Sequence, residues 1–507
     1  MADILLSTLN ARYVHSAFGL RYLYANLGDL QPQAEIAEFD ISQRPIDIAE
    51  VVLARKPKIL GLGVYIWNVA PTTELVRVLK RLAPEMIIIV GGPEVSYEHG
   101  DQEIVRLSDF TVSGEADLEF GPLCARLLAG QSPLEKVIRA KLPAFRDLRL
   151  PYRFYDEEDV AHRVIYVEAS RGCPFSCEFC LSSLDVPVRQ APLEPFLAEM
   201  GSLLDRGVRQ FKFVDRTFNL NIETSRAILQ FFLDRMRPGL FVHFEMIPDR
   251  LPESLRAPIA QFPHGSLQFE VGIQTFNPEV QKLISRRQDN DRTEQNLRWL
   301  RTETNVHIHT DLIVGLPGES TESFANGFDR LYDLRPQEIQ VGMLKRLRGT
   351  PIVRHDATWN MIYSPDPPYE IMSTKLIGFP MMCRLRRFAR YWDLIANSGR
   401  FTHSLPILLE GPSPFEVFMS LSDWLWRVTR QTHRIALIRL FELLLRYARS
   451  QTVTDIDHFA SALLRDYQRG GRTDTPSFLS GKVNIAPNKS NSSHKAGTKR
   501  QLRHGIG

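Results

Sequence analysis

Twice along the chain, short and almost uninterrupted apolar runs alternate with stretches whose apolar residues recur at helical spacing. That rhythm restricts the fold to parallel sheets crossed by helices. In the first series the runs are Ile4 to Leu6, Glu35 to Phe39, Ile59 to Val64, Met86 to Val90 and Asp109 to Val112. Leu20, Leu23, Tyr24, Leu27 and Leu30 mark one intervening helix, and Leu75, Val78, Leu79 and Leu82 another. Strands that are apolar on both faces need cover on both, which predicts a doubly wound parallel α/β sheet over residues 1–130. Ligands of such sheets bind beyond the carboxyl ends of the strands. Those ends carry Tyr13 and His15, then Tyr65, then Gly91, Gly92 and Pro93, and finally Gly114 and Glu115. Glycine there lets a bulky ligand approach the backbone.

The second series of runs comprises Val164 to Glu168, Phe211 to Asp215, Val242 to Met246, Leu267 to Val271, His307 to Val314 and Ile339 to Met343. Directly after its first run comes Arg171-Gly-Cys-Pro-Phe-Ser-Cys-Glu-Phe-Cys180, which holds three of the five cysteines at the spacing CxxxCxxC. Thiolates are soft ligands for zinc, copper(I) and iron–sulfur clusters. A structural zinc site wants a second pair of ligands, and no second pair is present. An electron-transfer cluster wants four cysteines. Three thiolates on a four-iron cluster leave one iron open, which is a catalytic arrangement.

CxxxCxxC with Phe179 before its last cysteine resembles the signature of radical S-adenosylmethionine (SAM) enzymes. The resemblance implies that Cys173, Cys177 and Cys180 hold a 4Fe-4S cluster, that SAM chelates the open iron, and that one electron releases a 5′-deoxyadenosyl radical. It also implies a partial (β/α)6 TIM-like barrel over residues 161–354, and a reductant such as flavodoxin or ferredoxin. Set ahead of such a core, the first sheet is similar to the cobalamin-binding domain of the cobalamin-dependent branch of that family. Tyr13, His15, Tyr65, Gly91, Gly92, Pro93, Gly114 and Glu115 are then its cobalamin contacts. Modules that place a histidine on cobalt carry DxHxxG, whereas this loop reads Tyr13-Val-His-Ser-Ala-Phe-Gly19. His15 as axial ligand, His15 as a hydrogen-bonding group, and a loop that only packs under the corrin all stay open.

The same resemblance assigns SAM contacts at three strand ends. Asp215 stands where the family binds the SAM amino group, although the usual GGE triplet is absent. Glu270, Gln274 and Asn277 stand where it reaches the ribose, and Ile313 and Gly315 where it contacts adenine. His307, His309 and Asp311 alternate along one strand and so share a face. HxH there is either a metal site or a polar barrel lining. Lys345, Arg346 and Arg348 follow the last strand, either to grip a carboxylate or as a solvated run.

Pro133, Pro143, Pro151 and two charge runs make residues 131–160 a linker. Residues 355–467 read as a helical domain that packs through Phe415, Phe418, Trp424 and Trp426, either as a cap on the barrel or as a structural unit. Residues 468–507 are rich in Gly, Ser, Asn and Lys and read as a disordered tail. Charged residues at 24% and a net charge of +3 argue against a nucleic-acid partner. The N-terminus lacks a signal-peptide succession and no apolar stretch is long enough to span a membrane, so a cytoplasmic location is expected.

Methyl transfer to an unactivated carbon of a small molecule is the activity the resemblance favours. Radical ring cyclisation or rearrangement is its alternative, and a non-catalytic cobalamin or iron–sulfur sensor stands further off. RNA methylthiotransferases share the upstream domain and a stretch like Asp311-Leu-Ile-Val-Gly-Leu-Pro-Gly-Glu319, but need three further cysteines; before Cys173 this chain has only Cys124.

Overall fold

Ile4–Asn10 (β1) is buried along its whole length, as a strand covered on both faces must be. The computed structural model describes residues 2–185, 187–451, 455–472, 474–479 and 499–504. Around β1 stand Ala34–Asp40 (β2), Ile59–Gly63 (β3), Ile87–Gly91 (β4), Phe110–Ser113 (β5) and Val137–Arg139 (β6). All are parallel, in the order β2-β1-β3-β4-β5-β6. Alternation along the strands feeds two cores. Leu5, Leu60, Leu62, Ile88 and Val90 pack on one side with Val52, Leu75 and Leu79. Ile4, Leu6, Ile59, Ile89 and Val112 pack on the other with Leu20, Phe120 and Leu127. The doubly wound sheet is therefore as expected. Its sixth strand lies within the stretch read as a linker, because three residues at an edge carry no legible period.

The chain forms two compact units. The first comprises Met1–Arg216 together with Lys345–Arg354 and Tyr363–Glu370. Besides the six-stranded sheet it contains the parallel pair Ile165–Val167 (β7) and Gln210–Phe213. Ser170–Arg171 (β8) and Arg189–Gln190 (β9) form a short antiparallel ribbon that closes the base of the cysteine loop.

The second unit carries Phe241–Met246, Leu267–Gln274, His307–Val314 and Glu338–Met343, successive parallel neighbours alternating with helices. The helices Phe379–Ile395 and Pro414–Thr429 pack on Thr321–Asp333 through Phe328, Phe388, Trp392, Phe415 and Phe418. Asn397 pairs with both backbone groups of Ile339, satisfying the outer side of an edge strand. Of the expected disordered tail, residues 473, 480–498 and 505–507 lie outside the described residues, while Lys499–His504 is helical. Among the described residues no helix is long and apolar enough to cross a membrane.

Candidate active site

The cysteine loop is shaped by its backbone. Gly172 has φ +88°, and a Cβ there would lie 2.7 Å from the carbonyl oxygen of Asp185, so only glycine fits the turn into the first cysteine. Cys173 N–H donates to that same carbonyl at 3.1 Å, and Cys180 N–H to the carbonyl of Cys177 at 3.1 Å. Cys173 and Cys177 are buried and Cys180 is half-buried, none in a disulfide. Burial pushes the Cys173 thiol up, and the charges of Cys180 and Cys177 push it further, so the three thiols feel one another. Among the described residues no three His, Cys, Asp or Glu side chains close around a point as a single ion requires. A cluster is held by cysteine thiolates, and three thiols brought together in one loop are a donor set of that chemistry.

Immediately before that loop, Arg171 enters a cavity of about 280 Å³ at the carboxyl ends of β3, β4 and β5. Gly61, Gly63, Gly91, Gly92 and Gly114 shape its floor. A Cβ on Gly61 would stand 2.8 Å from the ring of Phe120, and one on Gly92 2.6 Å from the Val64 carbonyl. These glycines are fixed by close packing against protein atoms, and the floor they form is bare backbone, which fits a lobe of a corrin cofactor lying against it.

The guanidinium of Arg171 is neutralised by Glu115 at 2.8 Å, Asp117 at 2.9 Å and Glu168 at 2.8 Å, and lies 4.4 Å above the ring of Tyr22. Burial opposes its charge, but Glu168 and Asp117 outweigh burial and hold its pKa well above the usual value. Burial pushes Glu168 up, and Arg171 only partly offsets this. Arg189 closes the network between Glu115 and Asp185.

Of the expected cobalamin contacts, Tyr65, Gly91, Gly92, Gly114 and Glu115 line this cavity. Tyr13, His15 and Pro93 do not. Tyr13 is exposed, bonded to Glu158 and covered by Arg163. His15 Nδ1 meets the Tyr166 hydroxyl at 2.6 Å, and burial, then Lys212 and Arg12, lower its pKa and keep it neutral. Pro93 starts a short turn. Arg171, Glu168, Asp117 and Arg189 received no role from the sequence: Arg171 and Arg189 reach Glu115 and Asp117 across 54 to 74 residues, which leaves no spacing pattern, and the local pair Glu168–Arg171 gains its meaning only from that network.

The last segments of this unit fasten the same region. Arg346 pairs with Glu98 at 3.0 Å, and Arg348 with Glu94 at 2.9 Å and Glu98 at 3.2 Å. Neither is the solvated run or open carboxylate grip expected of them. Ile352 N–H donates to the carbonyl of Glu178, between Cys177 and Phe179, and Arg354 binds the Glu178 carboxylate. Phe179 is half-buried. Asp215 is buried and accepts from Ala169 N–H at 3.0 Å and Ser170 Oγ at 2.6 Å, so it pins the turn into β8. Burial raises its pKa to about 7, against those hydrogen bonds.

In the second unit Glu270 and Gln274 share the strand Leu267–Gln274, next to the strand that carries Ile313. Gln274 has φ +69° at a register shift, and Gly315 has φ +88° with Ile371 2.7 Å from where its Cβ would be. His243 meets Glu270 at 3.2 Å. Asn277 caps the helix Pro278–Leu283, accepting from Glu279 and Val280 N–H and donating to Ser323 Oγ, so its amide is committed to structure. Glu319 is buried, bonded to Thr275 at 2.5 Å, and raised by burial to about 7.

The HxH pair turns to carboxylates. His307 and His309 approach Glu338 at 3.1 and 3.4 Å, and His309 also meets Asp311 at 3.3 Å. Arg500 meets Glu338 at 2.7 Å. This is the polar lining rather than the metal site.

Comparison with known proteins adds three family matches: a B12 binding domain over residues 5–121, the radical SAM superfamily over 167–331, and a protein of unknown function, DUF4080, over 357–504. A 2-(S-pantetheinyl)-carbapenam-3-carboxylate methyltransferase of Streptantibioticus cattleyicolor is 25% identical over 332 residues, 58% of this chain and 48% of that protein. The ribosomal protein uS12 methylthiotransferase RimO of Pelobacter propionicus is 28% identical over 198 residues, 37% of this chain and 43% of that protein. The chain thus spans less than half the length of these relatives. In fold it is similar to TsrM of Kitasatospora setae, a radical SAM methyltransferase solved with cobalamin and a [4Fe-4S] cluster (TM-score 0.56, 19% identity, 69% of this chain and 77% of that one). It is also similar to the cobalamin-dependent SAM radical enzyme OxsB (TM-score 0.60, 14% identity, 94% of this chain and 82% of that one).

Proposed function

We propose that this chain, which matches a B12 binding domain and the radical SAM superfamily, is a cobalamin-dependent radical SAM enzyme that transfers a methyl group to an unactivated carbon of a small molecule. The observation that carries this reading is the placing of Arg171: the residue that leads into the cysteine loop is also a wall of the glycine-floored cavity. When bound, the cluster and SAM supply a carbon-centred radical able to abstract hydrogen, and cobalamin supplies methyl transfer.

The chain's own groups hold and orient. Cys173, Cys177 and Cys180 are the cluster ligands. Glu115, Asp117 and Glu168 offer oxygen acceptors around Arg171 to the amide side chains of a corrin. Glu270, Gln274, Ile313 and Gly315 serve SAM, and Asp215 fixes the turn that leads into the cysteines. His15, neutral and held by Tyr166, is a hydrogen-bonding residue. The glycine floor lets the ligand lie directly against backbone.

Methylthio transfer would need thiolates for a second cluster. Before Cys173 stands only Cys124, which is buried and whose thiol burial raises to about 12. A one-electron donor such as flavodoxin or ferredoxin, and the reducing cytoplasm, complete the proposal.

Anaerobically reconstituted protein, incubated with cobalamin and desalted, is expected to keep near one equivalent of corrin and to form 5′-deoxyadenosine from SAM on reduction. Cys177→Ala should keep the corrin and form none. A wild-type protein without 5′-deoxyadenosine defeats the radical reading, and one without corrin removes cobalamin from it.

A further inference from the structure

A second cavity, of about 450 Å³, opens in the second unit beyond the carboxyl end of the strand Phe241–Met246. Its lining includes Asn219, Asp249, Arg250, Arg256, Arg292 and Asn296. The two asparagines are buried and build it. Asn219 accepts from Ile247 N–H at 2.7 Å and donates to the carbonyls of Ile247 and Arg250. Asn296 donates to the Pro248 carbonyl at 3.0 Å and accepts from Arg256 Nη2 at 2.9 Å. The loop between Ile247 and Leu251 is therefore fixed by side-chain hydrogen bonds and presents Arg250 on a rigid edge, while Arg256, on the helix Glu253–Ala260, is tied to the same loop through Asn296.

The charge of that edge is not balanced. Arg256 is half-buried, bonded to the Leu251 carbonyl at 3.1 Å and to Asn296, and stacked 4.8 Å over Trp299, all neutral partners. Arg250 is exposed and, among the described residues, has no side-chain partner. Arg292 lies 3.5 Å from Asp289, but both are well exposed, and such a pair is weak. The lining contains a single carboxylate, Asp249, which accepts from Asp289 N–H at 3.0 Å. A guanidinium presents a planar fork that suits carboxylate and phosphate oxygens, and half-burial strengthens that bond.

We infer that this cavity is an oxyanion site that anchors a phosphate- or carboxylate-bearing part of the substrate. The inference rests on the methyltransferase reading, since it lies at the strand end where barrel enzymes gather their active groups.

Isothermal titration of the full-length reconstituted protein with inorganic pyrophosphate, and separately with tricarballylate, tests it. Saturable one-to-one binding of at least one anion is expected, weakened tenfold or more in Arg250→Gln/Arg256→Gln. Arg250→Gln alone, at an exposed position, should show a smaller loss even where the double variant fails to fold. Tighter pyrophosphate assigns a phosphate and tighter tricarballylate a carboxylate. The site is overturned if neither anion saturates, if the variants bind as wild type does, or if Arg439→Gln, remote in sequence, loses as much. Formation of 5′-deoxyadenosine by wild type is read separately. Its absence with anion binding intact leaves the site and removes the radical reading, and the reverse result removes the site alone.

Discussion

Replacing Arg171 by methionine keeps much of the side chain's bulk and removes its charge. Glu115 retains Arg189, but Asp117 and Glu168 lose the cation that neutralises them, both with side chains 9% exposed. Removing one partner of a buried ion pair costs about 3–5 kcal/mol. The lost stacking on Tyr22 adds about 0.5–1 kcal/mol. A deficit of about 4 kcal/mol would lower the unfolding midpoint of a unit of this size by about 10 °C. The deficit has a pH dependence with a definite sign. Without Arg171, the folded pKa of Glu168, already raised by burial, rises further above its unfolded value. A carboxylate raised in this way stabilises below its unfolded pKa and loses that contribution as pH rises through the folded one. The variant should therefore lie near wild type at pH 5 and show the whole deficit at pH 8. Thermal unfolding followed by circular dichroism at both pH values reads this, with corrin retention after desalting as a companion. Arg171→Lys, a point charge without the fork, should fall between. A deficit below about 1 kcal/mol at pH 8, or one equal at both pH values, would refute the account of the network as a charge-balanced wall.

Gly61→Val should drive the Phe120 ring, 2.8 Å from the added Cβ, into the first cavity and reduce corrin retention at least tenfold; retention equal to wild type would show that the cofactor lies elsewhere. Glu319, held up at about 7 by burial against its bond from Thr275, costs stability as pH rises through that value. Glu319→Gln should remove about 3 kcal/mol of that slope between pH 4.5 and 8, and an unchanged slope counts against it. Burial lowers His309, but Asp311 and Glu338 outweigh it and raise the imidazole to about 10, so its contribution is present below its ordinary pKa of 6.5 and is lost as pH rises through about 10. In Glu338→Gln that loss should begin nearer neutrality, read by NMR titration of the ring; an unshifted titration would remove Glu338 from the cause.

What was legible beforehand followed periodicity and local chemistry. Ile59 to Val64 and Met86 to Val90 announced β3 and β4 because a strand covered on both faces tolerates little polarity. The cysteine loop stood out as a soft-ligand candidate by its spacing. Asn277 could have been recognised as a cap, since Asn-Pro-Glu is a helix-start signal; a strand-end position was read as a ligand contact instead. Arg346 and Arg348 were illegible for a different reason. Their carboxylates lie 248 to 254 residues earlier, and pairing across such a distance depends on topology, which charge patterning along the chain does not encode.

The strap Lys345–Arg354 also sets an order of events at the ribosome. The strands that floor the first cavity are complete early, yet the clamp on Glu98 arrives with Arg346, 248 residues later. At roughly 5–20 residues per second, that interval is on the order of 10–50 s. Throughout it the loop after β4 carries two carboxylates without their arginines. Fastening of the Glu178 backbone by Ile352 comes later still. A nascent chain can therefore form the first sheet well before it can lock the cysteine loop.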